Sequence, residues 1–197
     1  MHFLNPAEIY VVFENATLVI FTLEEQTLVI SKQLAFPNVK EIEYGEFHPM
    51  KKGKRLLFMT DTNAYLLTPS NITVMDGYHP TSKSFTSATP IGEKYIAVGY
   101  ETLGVVFYEM VSDWYLKQSG GYAASFFNRT SISVQDLAYH ENSSTLLILD
   151  DTYGVYAAQV HLNPEGHLRM TVIPKGAHKK GCYIMMLVEG DLYIVCR

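Results

Sequence analysis

The sequence is short of cysteine, tryptophan, charge and long apolar runs. Its 197 residues include two Cys and one Trp, and charged residues make up only 18%. Cys182 and Cys196 are too few for a disulfide framework, and a zinc site needs about four Cys/His ligands at short spacing. No apolar run reaches the roughly 18–20 residues that carry a helix across a bilayer. Met1-His2-Phe3-Leu4-Asn5-Pro6 lacks the basic start and apolar stretch of a secretory signal. A net charge of −5 argues against a nucleic-acid binder, which needs a concentrated positive surface to meet phosphates.

Catalytic signatures are missing too. There is no G-x-S-x-G and no H-E-x-x-H. Gly176 and Gly181 are spaced as in a phosphate loop, but Cys182-Tyr183 follow where Lys and a hydroxyl residue are needed. No cofactor and no metal are expected.

Hydrophobic residues reach 48% and aromatics 13%, with 14 Tyr and 10 Phe. That composition supports a packed core and favours strands over helices. The apolar residues come in runs of four to eight, such as Ile9–Phe13, Thr17–Thr22, Leu56–Met59, Tyr95–Val98, Val105–Tyr108 and Leu146–Leu149, broken by Gly, Pro, Asn, Asp and Ser. No window of twelve residues holds the i, i+3, i+4, i+7 pattern of an amphipathic helix. The pattern predicts an all-β chain.

The runs repeat. A strand ending in an acidic residue, then a tight turn and a second strand, occurs at Glu14, Asp61, Glu101 and Asp151, with separations of 47, 40 and 50 residues. The last three share [DE]-T-x-[GA]-[YV], in which the acidic side chain is expected to accept nearby backbone amides. Upstream of the strands stand Glu46-Phe47-His48-Pro49, Ala88-Thr89-Pro90 and Ala138-Tyr139-His140-Glu141. Four short strands per 40–50 residues mark a propeller blade. Repeats are expected over roughly 9–47, 55–89, 94–139 and 145–188, with a remnant at 191–197, all in a single domain spanning 1–197.

Val39–Leu67, with its aromatic-His-Pro turn, apolar strand and Asp-Thr turn, resembles a WD-repeat propeller blade, and Val134–Val160 does so more loosely. The Trp-Asp dipeptide of that family is missing, with Phe107-Tyr108-Glu109 the nearest approach, and so is its Gly-His pair. The resemblance implies a β-propeller of four-stranded antiparallel blades. The chain is expected to open on a second strand, Ile9–Phe13, and to end on another, Leu192–Cys196. Two arrangements fit. One is a segment of a larger propeller, completed by other sequence or another chain. The other is a four-blade ring in which Cys182–Val188 completes the first blade.

Candidate sites follow. Ser119–Asn128 is a long connection carrying Tyr122, Phe126 and Phe127, which would act either as exposed partner anchors or as a core plug. Asn15, Asn71, Asn128 and Asn142 stand in N-x-[ST] sequons, where chance predicts about one, and mark candidate glycosylation sites of a lumenal or extracellular domain. Otherwise a cytoplasmic location is expected. His161 and His167 flank a turn; His48 and His140 recur at equivalent turns and are expected to bond backbone. Lys51-Lys52-Gly53-Lys54-Arg55 and His178-Lys179-Lys180 read as solvated turns. If Cys182–Val188 and Leu192–Cys196 pair through a three-residue loop, Cys182 faces Cys196 within disulfide reach; a two-residue loop points the thiols to opposite faces.

These features predict a non-enzymatic propeller module that binds protein partners within a larger assembly. A glycosylated ectodomain segment and a propeller enzyme with a carboxylate/His site at the channel mouth are the alternatives.

Overall fold

The structure is a computed structural model that describes residues 2–5, 8–50, 55–78, 85–128, 132–177, 181–188 and 191–196. Its first sheet contains β1 (His2–Asn5), β2 (Glu8–Phe13), β3 (Thr17–Glu24) and β4 (Thr27–Ala35). The second holds β5 (Gly45–Pro49), β6 (Leu56–Thr60), β7 (Ala64–Leu67) and β8 (Ile72–Val74). In the third are β9 (Phe85–Ile91), β10 (Tyr95–Tyr100), β11 (Gly104–Ser112) and β12 (Tyr115–Tyr122). The fourth contains β13 (Val134–His140), β14 (Thr145–Asp150), β15 (Gly154–Leu162) and β16 (Leu168–Ala177). A final two-stranded sheet pairs β17 (Cys182–Val188) with β18 (Asp191–Cys196). Each is an antiparallel meander in chain order, and no ring closes: the architecture is a partial β-propeller.

Period-2 alternation explains how the blades stack. In β6, Leu56 and Phe58 pack with Tyr10, Leu18, Ile20 and Phe36 of the first blade. Leu57 and Met59 point the other way, onto Ile96, Val98 and Tyr100 of β10. Tyr95 and Ala97 then face forward onto Leu146 and Ile148, and Leu149 packs against Cys182 and Met185. A middle strand buried on both faces reads as an unbroken apolar run, as these do.

The tight turns between second and third strands use different side chains from those expected. Asp61 and Asp151 are not the acceptors. Their preceding residues are: Asn63 N donates to Thr60 Oγ1 at 2.9 Å, and Thr152 N and Tyr153 N donate to Asp150 Oδ1 at 2.9 and 2.7 Å. The last strand residue points into the turn while the next one points away, so the acceptor lies one position earlier. Asp151 contributes its backbone instead, donating N–H to Ser133 O. The glycine of the turn pattern has a clear role: Gly104 and Gly154 sit at φ +89° and +87°, where a side chain is strained.

Other boundaries also differ. β1 precedes Ile9–Phe13 and pairs with it, so the first blade has its own first strand and Cys182–Val188 does not complete it. The Asn5-Pro6 break conceals that short strand in the sequence. The hydrogen-bonded sheets span 2–35, 45–74, 85–122, 134–177 and 182–196, one strand earlier than the repeat frame. Residues 39–44 form a connection, and Ile42 N–H bonds the Glu14 carbonyl of the first blade. The Ser119–Asn128 segment divides into the end of β12 and a 3-10 turn, Ala124–Phe127.

Candidate interaction surface

The first strands β5, β9, β13 and β17 lie side by side along the inner edge of the arc. A polar ladder joins them. Ala88 N donates to Glu46 Oε2 at 3.0 Å, and Ser87 Oγ donates to Asp136 Oδ1 at 2.8 Å. Asp136 Oδ2 accepts the Met185 amide of the last sheet at 2.6 Å. The Tyr44 hydroxyl lies 2.7 Å from Glu46 Oε1 and 3.1 Å from the Thr86 carbonyl. Burial raises the pKa values of Asp136, Glu46 and Tyr44; Glu46 adds to the rise at Tyr44. Desolvated carboxylates accompany both active sites and structural networks. Here Glu46 Oε2 and both Asp136 oxygens accept donors from adjoining blades, an arrangement that ties blade to blade. His48 Nε2 lies 3.6 Å from Glu46 Oε2, beside this ladder. The ladder escapes sequence reading because its partners are about 40–50 residues apart. The one local signal is a carboxylate inside an apolar strand, Val134-Gln135-Asp136-Leu137.

The three loop aromatics part company. Phe127 is 6% exposed and packs on Tyr156 with ring centroids 5.3 Å apart, which makes it core rather than anchor. Phe126 is 38% exposed and leans on Tyr122 at 4.4 Å. The Tyr122 hydroxyl accepts the Met170 amide at 2.9 Å, joining the third blade to the fourth.

A larger apolar surface lies on β17–β18. Tyr183, Ile184, Met186, Val188, Leu192, Tyr193 and Val195 are all exposed, Met186 and Tyr193 by more than half. In the second strands of the middle blades, β6 and β10, every residue is buried.

Within this sheet Cys182 faces Cys196 and the two sulfurs are bonded. The register reaches this pairing by an unexpected route. Val188 pairs with Asp191, so only residues 189 and 190, outside the described residues, lie between the strands. An irregularity between Cys182 and Ile184 shifts the register by one and returns both cysteines to the same face.

The sequon residues Asn15, Asn71, Asn128 and Asn142 are all exposed. His161 pairs with Arg169 rather than His167, whose Nδ1 lies 3.5 Å from Glu165. His140 Nδ1 contacts Ser143 Oγ at 2.7 Å, a side-chain partner rather than backbone. Of the basic clusters, residues 51–54 and 178–180 lie outside the described residues; Arg55 pairs with Asp113. Among the described residues no three His, Cys, Asp or Glu are grouped to hold a metal, and no helix is long and apolar enough to cross a membrane.

No family model matches the sequence, and neither does any curated protein. Solved structures do match in fold. The β-propeller domain of Cps50 (Swd1) from Myceliophteria thermophila aligns with TM-score 0.60 at 11% identity, covering 96% of this chain and 60% of that one. A Bacteroides uniformis protein assigned as a 6-phosphogluconolactonase aligns with TM-score 0.58 at 18% identity, covering 98% of this chain and 62% of that one. U3-55K aligns with TM-score 0.54 at 12% identity, covering 90% and 54%. The chain thus spans about three fifths of the solved structures it matches. Topology and these likenesses agree on one conclusion: the chain folds as an arc of a β-propeller.

Proposed function

We propose that this chain is a non-enzymatic propeller module that binds protein partners within a larger assembly. The observation that carries this reading is the apolar surface of β17–β18, where seven large side chains stand exposed in two adjacent strands. An exposed apolar patch on this scale marks an interaction site, because contiguous apolar surface in water is costly. The covering element is either a partner chain or further propeller sequence. Phe126 offers a second, smaller contact at the rim. The inner carboxylates support the same reading, since Ala88, Ser87 and Met185 of neighbouring blades donate to them.

The test is the mass of the native particle by size-exclusion chromatography with light scattering. The expected result is a complex that Met186→Glu combined with Tyr193→Glu reduces to the lone chain. A native particle of one chain only, with no further propeller sequence in it and unchanged by these substitutions, overturns the proposal.

A further inference from the structure

The four sequon asparagines have no part in the core or in the apolar sheet. Eight Asn and 27 Ser plus Thr in 197 residues would produce about one sequon by chance, yet Asn15-Ala16-Thr17, Asn71-Ile72-Thr73, Asn128-Arg129-Thr130 and Asn142-Ser143-Ser144 are present. The fold leaves all four asparagines exposed. Asn15 lies in the β2–β3 turn, Asn71 just before β8, Asn128 after the 3-10 turn, and Asn142 within the short turn before β14. Residues 129–131 lie outside the described residues. In a meander, successive turns emerge from alternate ends, so Asn15 and Asn128 belong to one face of the arc and Asn71 and Asn142 to the other. No sequon falls in β17–β18. A glycan is bulky, hydrophilic and confined to the surface; the four would clothe both turn faces and leave the apolar sheet bare.

The bonded pair Cys182–Cys196 is independent of the sequons. Structural disulfides persist in oxidising compartments and are rare in the cytosol.

We infer that this chain matures in an oxidising, glycosylating compartment, carrying N-linked glycans on Asn15, Asn71, Asn128 and Asn142 and a closed Cys182–Cys196 bond. The glycan donor is a lipid-diphosphate-linked oligosaccharide. Asn Nδ2 bonds to the sugar C1 and gives up one proton; the bond from C1 to the diphosphate oxygen breaks, and the lipid diphosphate leaves. The disulfide forms by exchange with a disulfide donor, which takes two electrons and two protons from the thiols and departs as a dithiol.

The test uses native protein isolated without reductant. Free thiols are alkylated under denaturing conditions, glycans are released by peptide N-glycosidase in heavy-oxygen water, and peptides are mapped by mass spectrometry. Heavy-oxygen Asp at the four positions and no alkylated cysteine are expected, and each Asn→Gln variant should lose one step of the glycosidase-sensitive mobility shift. An unmodified 22.3 kDa chain with no labelled Asp, or alkylation of both cysteines, overturns the inference. Neither outcome bears on whether a partner covers β17–β18, which the particle mass reads separately.

Discussion

β10 and β18 hold the same position in their blades and are built from similar residues, yet their fates differ. Every residue from Tyr95 to Tyr100 is buried, and none from Asp191 to Cys196 is. β10 is hydrogen-bonded to β9 and β11 and packed between the second and fourth blades. Among the described residues β18 bonds only β17, and Ile194 and Cys196 pack toward the fourth blade. Burial in a propeller therefore comes from neighbours on both faces rather than from the hydrophobicity of the strand. An apolar side chain stabilises the fold only in proportion to the surface its neighbours take from water.

The sharpest way to break this comparison is to truncate one ring in each region. Phe107 is fully buried between the third and fourth blades, and Phe107→Ala should cost about 3–5 kcal/mol in chemical denaturation. Tyr193→Ala should stay within about 0.5 kcal/mol. Similar losses would show that the last sheet is as well packed as the middle ones.

The aromatic loop repeats the contrast over two adjacent residues. Phe127→Ser should cost about 3 kcal/mol or more, because it empties a core site. Phe126→Ser should cost less than about 1 kcal/mol. Melting curves that reverse the order would contradict the burial of Phe127.

Asp136 tests how the open sheet is held to the closed ones. Replacing it with Asn removes an acceptor from the Ser87, Leu137 and Met185 donors, and should cost about 1.5–3 kcal/mol at neutral pH. Hydrogen exchange at the Met185 amide should accelerate. The pH dependence has a definite sign. Burial raises the folded pKa of Asp136 above its unfolded value of about 3.9, so the folded state favours the protonated form. That contribution is full below the unfolded pKa and fades as pH rises through the folded one. Asp136→Asn should flatten this slope, and an unchanged pH profile of stability would remove Asp136 as its source.

The smallest effect concerns the turn after β14. Asp150→Ala should cost about 1–2 kcal/mol by freeing the Ser133, Thr152 and Tyr153 amides. Asp151→Ala should cost almost nothing. Equal losses would restore the acidic residue of the repeat pattern as the capping group.

The all-β class and the recurrence of short antiparallel strands every 40–50 residues were legible because each depends on local pattern. Apolar runs of four to eight residues, Gly104 and Gly154 in positive-φ turns, and spacings of 40–50 residues all act within a few residues or recur at a fixed interval. The cysteine pairing was half legible: residue arithmetic brought Cys182 opposite Cys196, but a register shift that the sequence does not signal is what put them there. β1 was hidden behind Asn5-Pro6, and the capping residue was displaced by one because strand alternation near a turn depends on where the ladder ends.

The rest was decided by tertiary structure. Glu46, Ser87, Asp136 and Met185 come together only when separate blades align their inner strands, and no local periodicity links residues so far apart. Phe126 and Phe127 are chemically identical, and only the packing of the fourth blade beneath the loop determines which is buried. The same holds for β10 and β18. A strand's own residues set its alternation and its turns, while its exposure is a property of whatever lies against its two faces.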